Sequence, residues 1–297
     1  MVIIKNNSKL NTRVILMTTI FGFILLLGSL FVVMNSNSKI ILPQASAQNQ
    51  SGGMQMGATN SSTGSSRTTN HTNIVLVHGL WADGSSWSKV IPILEKAGHK
   101  VIAVQLALHS LEDDVATVKR AIALVGGGPT ILVAHSYGGF VITNAAYNNK
   151  NVTGLVYVAA FAPEQGKTLS DYVPVTKIPK GLLVTDSGGF IYLNSTQFPQ
   201  AFAQDVKTTE ANIMAATQKP VNQSIINEKS GPPAWKQLPS WYQISENDRI
   251  IPPDVERMFS KQINATTISL SSSHASLVSH PNEIAQLILN ATKESKR

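Results

Sequence analysis

The chain contains no cysteine among its 297 residues. Disulfide bonds and thiolate metal sites are therefore excluded, and cysteine usage carries no information about the redox compartment. Setting aside a non-globular amino-terminal stretch leaves about 220 residues, which is enough for one domain that buries roughly 70 to 75% of its unfolded surface. We expect a single folded domain.

Acidic residues are absent from the start of the chain, where Asp83 is the first. Most of the formal charge of +7 arises in that region, from Lys5, Lys9, Arg13, Lys39 and Arg67. The remaining surplus is matched by a basic carboxyl-terminal tail, so the folded part is close to neutral. We expect no nucleic-acid partner, because binding to phosphates requires a basic patch on the folded surface.

Residues 14–34 form an almost wholly apolar run that follows Lys5, Lys9 and Arg13. As a helix the run would extend about 30 Å, enough for a membrane anchor and more than the 7 to 15 or so apolar residues of a cleaved signal. However, Ala45-Ser46-Ala47 fits a signal-peptidase site. Residues 1–47 are therefore predicted to be a signal peptide or a signal anchor, which places the rest outside the cytoplasm, secreted or anchored to the outer face of the membrane.

Residues 48–72 are rich in Gln, Ser, Gly, Thr and Asn and predict a disordered polar linker. Met54 and Met56, with His71, offer soft metal ligands, but methionine in such a linker is usually incidental, and we assign no metal site. Asn-x-Ser/Thr sequons suit an exported, glycosylated chain, although the asparagine-rich background weakens that signal. They begin at Asn49, Asn60, Asn70, Asn151, Asn194, Asn222, Asn264 and Asn290.

Beyond the linker, short β-branched runs alternate with helical stretches over residues 73–297. This alternation predicts an α/β fold with a doubly wound, mainly parallel six-stranded sheet and helices on both faces. Strands are expected near 73–78, 100–105, 130–135, 153–160, 239–245 and 266–271, and helices near 85–97, 111–125, 137–149, 253–263 and 281–293. The alternation stops at about 163–236, where we predict a cap inserted before the 239–245 strand.

The segment Ala134–Gly139 follows the apolar run 130–133 and has the pattern of a nucleophile elbow. A buried strand that ends in small-x-Ser-x-Gly and passes directly into a helix forces a sharp turn, with the serine at its apex. The turn exposes the hydroxyl of Ser136 at the carboxyl edge of the sheet and directs the backbone N–H of Tyr137 to the same place. Ser136 is therefore the candidate nucleophile, and Tyr137 a candidate oxyanion donor.

Two later predicted strands are followed by the partners that such a serine needs. Asp248 follows the 239–245 strand, and His274 follows the 266–271 strand. The order Ser, Asp, His is that of a hydrolase triad, in which the aspartate orients the histidine that activates the serine. Glu246 is an alternative acid, with Asp248 then capping the next helix, and His280 is an alternative histidine.

Several motifs in register carry a resemblance to a known family. They are Val75–Trp81, the elbow, Leu155–Pro163, Pro239–Tyr242, the Asp248 loop and Ser273–Pro281. Over roughly residues 73–292 the chain resembles the α/β-hydrolases of the small group that includes plant methylesterases, hydroxynitrile lyases and their microbial esterase relatives. The resemblance implies that the N–H of Leu80, after His78-Gly79, is the second oxyanion donor.

The resemblance implies a carboxylesterase that acts on small uncharged esters through an acyl-enzyme, without a cofactor. The cap contains several aromatic residues, which would either shape the substrate pocket or pack the cap against the sheet, and we assign none of them to substrate binding. They are Phe190, Tyr192, Phe198, Phe202 and Trp235. Ala275 stands where the hydroxynitrile lyases carry a lysine, which disfavours lyase activity. Alternatives are a ligand-binding module with vestigial turnover, or another triad reaction such as thioester, lactone or carbon–carbon hydrolysis or perhydrolysis. Oligomeric state is left open.

Overall fold

A computed structural model of the protein describes residues 71–295. The predicted leader (1–47) and all but the last two residues of the predicted linker lie outside the described residues. Within residues 71–295, no helix combines the length and the apolar character needed to cross a bilayer.

The main sheet is built from the apolar runs that the sequence pattern singles out. Six strands lie in the order β2-β1-β3-β4-β8-β9 and every neighbouring pair is parallel, which confirms the predicted α/β class. The inner strands β1 and β3 are buried along their whole length, as expected for a parallel sheet covered on both faces. The strands of the chain are β1 Asn73–Val77, β2 Lys100–Ala103, β3 Thr130–His135, β4 Val152–Val158, β5 Leu183–Thr185, β6 Phe190–Leu193, β7 Val221–Asn222, β8 Ser240–Ser245 and β9 Thr266–Leu270.

Outside the cap, the helices follow the predicted positions, with two differences. The helix expected near 85–97 is a short 3₁₀ turn, Gly84–Trp87, followed by a separate α-helix; Pro92 lies in the first turn of that helix, where the N–H it lacks is not needed. A further short helix, α8, lies between β9 and the last helix. The α-helices are α1 Ile91–Lys96, α2 Leu111–Leu124, α3 Gly138–Ala145, α4 Leu169–Tyr172, α5 Phe198–Phe202, α6 Thr208–Thr217, α7 Pro253–Gln262, α8 Ser276–Ser279 and α9 Pro281–Glu294.

The segment between β4 and β8 forms a cap with its own small sheet. Strands β5, β6 and β7 pair in the antiparallel sense, which the sequence pattern did not reveal because each strand has four residues or fewer. Helices α4, α5 and α6 complete this cap. The indole N–H of Trp235 donates to the carbonyl of Pro163 at 3.0 Å and joins the end of the cap segment to its beginning. Trp235 therefore has a packing role at the base of the cap.

Candidate active site

Ser136 lies in the tight turn between β3 and α3, with a backbone φ of 56°. A positive φ is costly for a residue with a Cβ, so the surrounding structure must hold it in place. The N–H of Ser136 donates to the carbonyl of Val158 at 3.3 Å, and the N–H of Phe161 donates to the carbonyl of Ser136 at 3.2 Å. Both partners belong to β4 or to the residues just after it, so the neighbouring strand fixes the turn.

Two glycines make this turn sterically possible. A Cβ on Gly79 would lie 2.6 Å from the Cβ of Ser136, and a Cβ on Gly139 would lie 1.9 Å from the carbonyl oxygen of Phe161. Neither contact is tolerable, because atoms that are not bonded do not approach so closely. The loop after β1 and the start of α3 can therefore close around Ser136 only with glycine at both positions.

The structure brings the predicted serine, histidine and aspartate into one hydrogen-bonded line. The Nε2 atom of His274 lies 2.9 Å from Oγ of Ser136, and its Nδ1 atom lies 2.5 Å from Oδ2 of Asp248. A carboxylate only accepts, so Nδ1 carries the proton and Nε2 is free to accept the serine hydroxyl. This is the tautomer that a general base acting on Ser136 requires.

The second oxygen of Asp248 is held by the backbone. Its Oδ1 atom accepts N–H groups from Ile250 at 2.6 Å and from Ile251 at 2.9 Å. The side chains of Asp248 and His274 are both fully buried, and Ser136 is 4% exposed. Fixed donors thus replace water around the carboxylate and set its direction toward His274.

The two alternative residues lie elsewhere. Glu246 forms an exposed ion pair with Arg257, with Oε2 and Nη1 2.6 Å apart, and this hydrogen bond lowers the pKa of Glu246. His280 lies beside two other carboxylates, 3.9 Å from Asp205 and 3.8 Å from Glu283. The structure therefore assembles Ser136 with Asp248 and His274 rather than with either alternative.

The loop that carries Leu80 lies directly against Ser136, as the contact of Gly79 shows. Trp81, the residue after Leu80, has a left-handed backbone with a φ of 58°. Among the described residues, neither the N–H of Leu80 nor that of Tyr137 donates to a backbone acceptor. Both N–H groups therefore stay candidate donors to an oxyanion formed at Ser136.

His78 anchors the Leu80 loop. Its Nε2 atom accepts the N–H of Leu106 at 2.9 Å, so Nδ1 bears the proton and donates to the carbonyl of Gly79 at 2.8 Å. Burial lowers the pKa of His78 to about 4, which keeps this ring neutral at physiological pH. His78 therefore positions the loop and takes no part in moving protons.

Tyr137 has a buried partner that the sequence pattern did not indicate. Its hydroxyl donates to Oδ2 of Asp114 at 3.0 Å, and Oδ1 of Asp114 accepts the N–H of Leu108 at 3.1 Å. Burial raises the pKa of both groups, and the Asp114 charge raises that of Tyr137 further. The acidic start of α2 predicts only capping and dipole effects; Ser110 does cap the helix, but Asp114 instead ties it to the residue after the candidate nucleophile.

Two more buried groups surround His274 and Asp248. The ring of His135 lies 4.6 Å from that of His274 and donates from Nε2 to the His274 carbonyl at 2.8 Å; burial, with the nearby His274, keeps the pKa of His135 well below its ordinary value. On α7, Glu256 accepts the N–H of Ser245 at 2.9 Å. Burial and the neighbouring Asp248 raise the pKa of Glu256 well above its ordinary value.

A cavity of about 270 Å³ lies between the cap and the loop after β1. Phe202, which contacts the edge of the His274 ring with centroids 4.8 Å apart, also lines the cavity and so separates it from His274. The cavity wall is largely apolar, with an ion pair between Lys89 and Glu210 among its polar members. The apolar lining residues are Trp81, Ala82, Phe198, Phe202, Ile213, Met214 and Val278.

Within the part of the chain that the structure describes, no group of three or more His, Cys, Asp or Glu side chains is arranged to hold a metal ion. The groups brought together here are a hydroxyl, an imidazole and a carboxylate, with the N–H groups of Tyr137 and Leu80 as candidate donors. Such a set supports nucleophilic attack on a carbonyl carbon with stabilisation of the resulting oxyanion.

Comparison with known proteins shows which family the chain belongs to. The model of the alpha/beta hydrolase family matches residues 74–287. A carbendazim-hydrolyzing esterase from Nocardioides sp. is 35% identical over 130 residues, which are 40% of this chain and about half (53%) of the esterase. A pyrethroid hydrolase from Sphingobium wenxiniae is 27% identical over 243 residues, 73% of this chain and 86% of the hydrolase.

Methylesterase 7 of Arabidopsis thaliana is 37% identical over 110 residues, 32% of this chain and 42% of the plant protein. Among solved structures, an extracellular α/β-hydrolase from a Paenibacillus species superposes with a TM-score of 0.65 at 23% identity, over 74% of this chain and 98% of that one. The chain belongs to the alpha/beta hydrolase family, and the resemblance to methylesterases and microbial esterases is confirmed.

The neutral state of His78 predicts a pH dependence of stability. The pKa is about 4 in the folded protein and about 6.5 in the unfolded chain, so between these values the unfolded chain binds the extra proton. The stabilisation, about 3 kcal/mol from 1.36 kcal/mol per pKa unit, is present above pH 6.5 and lost as the pH falls to 4. The free energy of unfolding, measured with urea at several pH values, should rise less steeply between pH 4 and 6.5 in His78→Gln than in wild type, by the equivalent of about one proton. An equal pH dependence in the two proteins would contradict the assignment.

Proposed function

We propose that the protein is a carboxylesterase that uses Ser136 as nucleophile, His274 as general base and acid, and Asp248 as the group that orients His274. The observation that carries the proposal is the continuous line from Oγ of Ser136 through His274 to Asp248, at 2.9 and 2.5 Å. Membership of the alpha/beta hydrolase family, and relatives named as esterases, support the same reaction class.

In the first half of the reaction, Oγ of Ser136 forms a bond to the ester carbonyl carbon while its proton passes to Nε2 of His274. The carbonyl electrons move to oxygen, and the N–H groups of Tyr137 and Leu80 donate to that oxyanion. Asp248 stabilises the imidazolium that forms. Collapse of the intermediate breaks the bond to the alcohol oxygen, which leaves with the proton from His274.

In the second half, water attacks the acyl-serine carbonyl and gives its proton to Nε2 of His274. The oxyanion is stabilised at the same two N–H groups, and collapse breaks the acyl–serine bond. The carboxylic acid leaves, and Ser136 regains its proton.

The cavity supports small, uncharged esters as the substrate class. Its volume of about 270 Å³ lies just below the 300 to 1,000 Å³ or so typical of sites for drug-sized ligands. Three charged residues line the cavity: Lys89 and Glu210 compensate each other at 2.8 Å, and the Asp83 carboxylate accepts the N–H of Ser85 at 2.7 Å. An apolar acyl or alcohol group therefore fits the cavity better than a charged one.

The first test is labelling with a fluorophosphonate, a probe that reacts with activated serines, on protein starting near Thr72. We expect label on Ser136, because its hydroxyl is hydrogen-bonded to Nε2 of His274. Ser136→Ala and His274→Ala should lose the label, and ester turnover by Ser136→Ala should fall by about 10⁶-fold. Mass spectrometry of the labelled peptide and assays with a panel of esters provide the measurements.

Unchanged turnover in Ser136→Ala would overturn the assignment of the nucleophile. A folded wild-type protein that takes no label but binds a small apolar ligand saturably would instead favour a ligand-binding module on the hydrolase fold. Labelling of Ser136 without ester turnover would direct attention to thioester, lactone or carbon–carbon substrates.

The position of Phe202 predicts that its substitution changes the preference for acyl chain length. Its ring stands between His274 and the cavity, so Phe202→Val should open the cavity toward Ser136. We expect kcat/KM for longer acyl esters to rise by about tenfold relative to acetate esters, the effect of one or two methylenes in an apolar pocket. Phe190→Val is the control, because Phe190, also in the cap, packs against His109 of the loop before α2 and does not line the cavity. An unchanged ratio in Phe202→Val would contradict this role.

We also propose that the enzyme acts outside the cytoplasm. The support is the apolar run 14–34, with cations before it and the site Ala45-Ser46-Ala47 after it. Expression of the full chain in a bacterium, with fractionation and sequencing of the amino terminus, should give protein cleaved after Ala47 or intact protein in the membrane fraction. Intact protein in the cytoplasmic fraction would contradict export.

A further inference from the structure

The turn after α5 fastens the cap to both loops that carry the candidate catalytic residues. We call Gln200–Asp205 the clamp segment. Toward the Asp248 loop, the guanidinium of Arg249 donates to the carbonyl of Gln200 at 2.9 Å, and the side-chain amide of Gln204 donates to the carbonyl of Asn247 at 2.6 Å. These bonds join the clamp segment to the residues on either side of Asp248.

Toward the histidine loop, a single carboxylate oxygen makes the connection. Oδ2 of Asp205 accepts the backbone N–H of Ser273 at 3.0 Å and the hydroxyl of Ser279 at 2.8 Å. Ser273 is buried and immediately precedes His274. One side chain of the cap thus holds the backbone just before His274 and the helix α8 just after it.

Asp205 makes these bonds as an anion. Burial raises its pKa, but the hydrogen bonds from Ser273 and Ser279 outweigh burial and bring the pKa below its ordinary value. Hydrogen bonds to an ionised acceptor are stronger and more directional than neutral ones. His280, 3.9 Å from the same oxygen, adds a cation when it is protonated.

The other fixed points of His274 show why the bond to Ser273 matters. The His274 carbonyl is held by His135, and the Nδ1 atom is held by Asp248. Apart from Asp205, the protein supplies no other side-chain acceptor for the N–H of Ser273 among the described contacts. The preceding residue, Ser272, is held separately, because its carbonyl accepts the N–H of Asn247 at 3.0 Å and its hydroxyl donates to Ser245 at 3.0 Å. Loss of Asp205 would leave the Ser273 N–H without its acceptor and let the peptide between Ser272 and His274 shift.

We propose that Asp205 is a positioning residue, which fixes the backbone before His274 and so makes alignment of the imidazole with Ser136 depend on a seated cap. The inference rests on the proposed function, because it concerns how well His274 serves Ser136. A displacement of about 1 Å at a catalytic group can lower the rate by about 10²-fold, so a bond of this kind affects turnover more than substrate binding.

The experiment compares Asp205→Ala and Asp205→Asn with wild type in ester turnover, fluorophosphonate labelling rate and melting temperature. We expect Asp205→Ala to lower kcat and the labelling rate by about 10 to 10²-fold, with KM changed less than about threefold. Asp205→Asn keeps an acceptor oxygen in place and should recover most of that loss. Glu164→Gln is the matched control: it removes another cap carboxylate, which pairs with Lys236 at 2.8 Å and contacts neither loop.

The outcomes distinguish a failure of the inference about Asp205 from a failure of the proposed function. If wild type labels on Ser136 and Asp205→Ala labels at the same rate, the inference about Asp205 is wrong and the proposed function stands. A fall in kcat that merely follows the unfolded fraction, or an equal fall in Glu164→Gln, would also overturn it. If wild type itself neither labels nor turns over esters, the proposed function fails and the inference with it.

If Asp205→Ala does not fold, Asp205→Glu provides the test. It keeps the charge but moves the carboxylate oxygen by one methylene, and we expect it to lower kcat in the same way.

Discussion

The left-handed backbone of Ser136 is the constraint on which the rest of the site depends. That conformation is unfavourable for serine, and it persists because β4 holds the turn from both sides through the Val158 carbonyl and the Phe161 N–H. The same turn requires glycine at 79 and 139, since any Cβ there would collide with Ser136 or with Phe161. A central strand of a parallel sheet is rigid enough to maintain such strain, which a surface loop is not.

His274 meets this fixed serine because its loop is held at several points from different parts of the chain. Asp248 fixes the tautomer, His135 holds the carbonyl, and Asp205 holds the preceding N–H. Burial makes these bonds effective, because water does not compete for the same donors and acceptors. It also penalises unpaired charge, and burial together with the neighbouring Asp248 accordingly raises the pKa of Glu256.

The cap contributes residues both to the cavity wall and to the contacts of His274. Phe202 and Asp205 lie within the same short segment: one contacts the His274 ring and lines the cavity, and the other holds the backbone that enters His274. The wall of the cavity and the backbone that enters His274 therefore share a few residues of α5 and the turn after it.

The sequence alone determined the sheet, the elbow and the order of Ser136, Asp248 and His274, because these follow from local signals: β-branched runs, the small-x-Ser-x-Gly turn and residues at strand ends. Only the tertiary structure separated His274 from His280 and Asp248 from Glu246, and only it showed Asp114 against Tyr137 and Asp205 against Ser273. These pairs are distant along the chain, so no local pattern encodes them. They arise when packing brings buried polar groups together and each must find a partner.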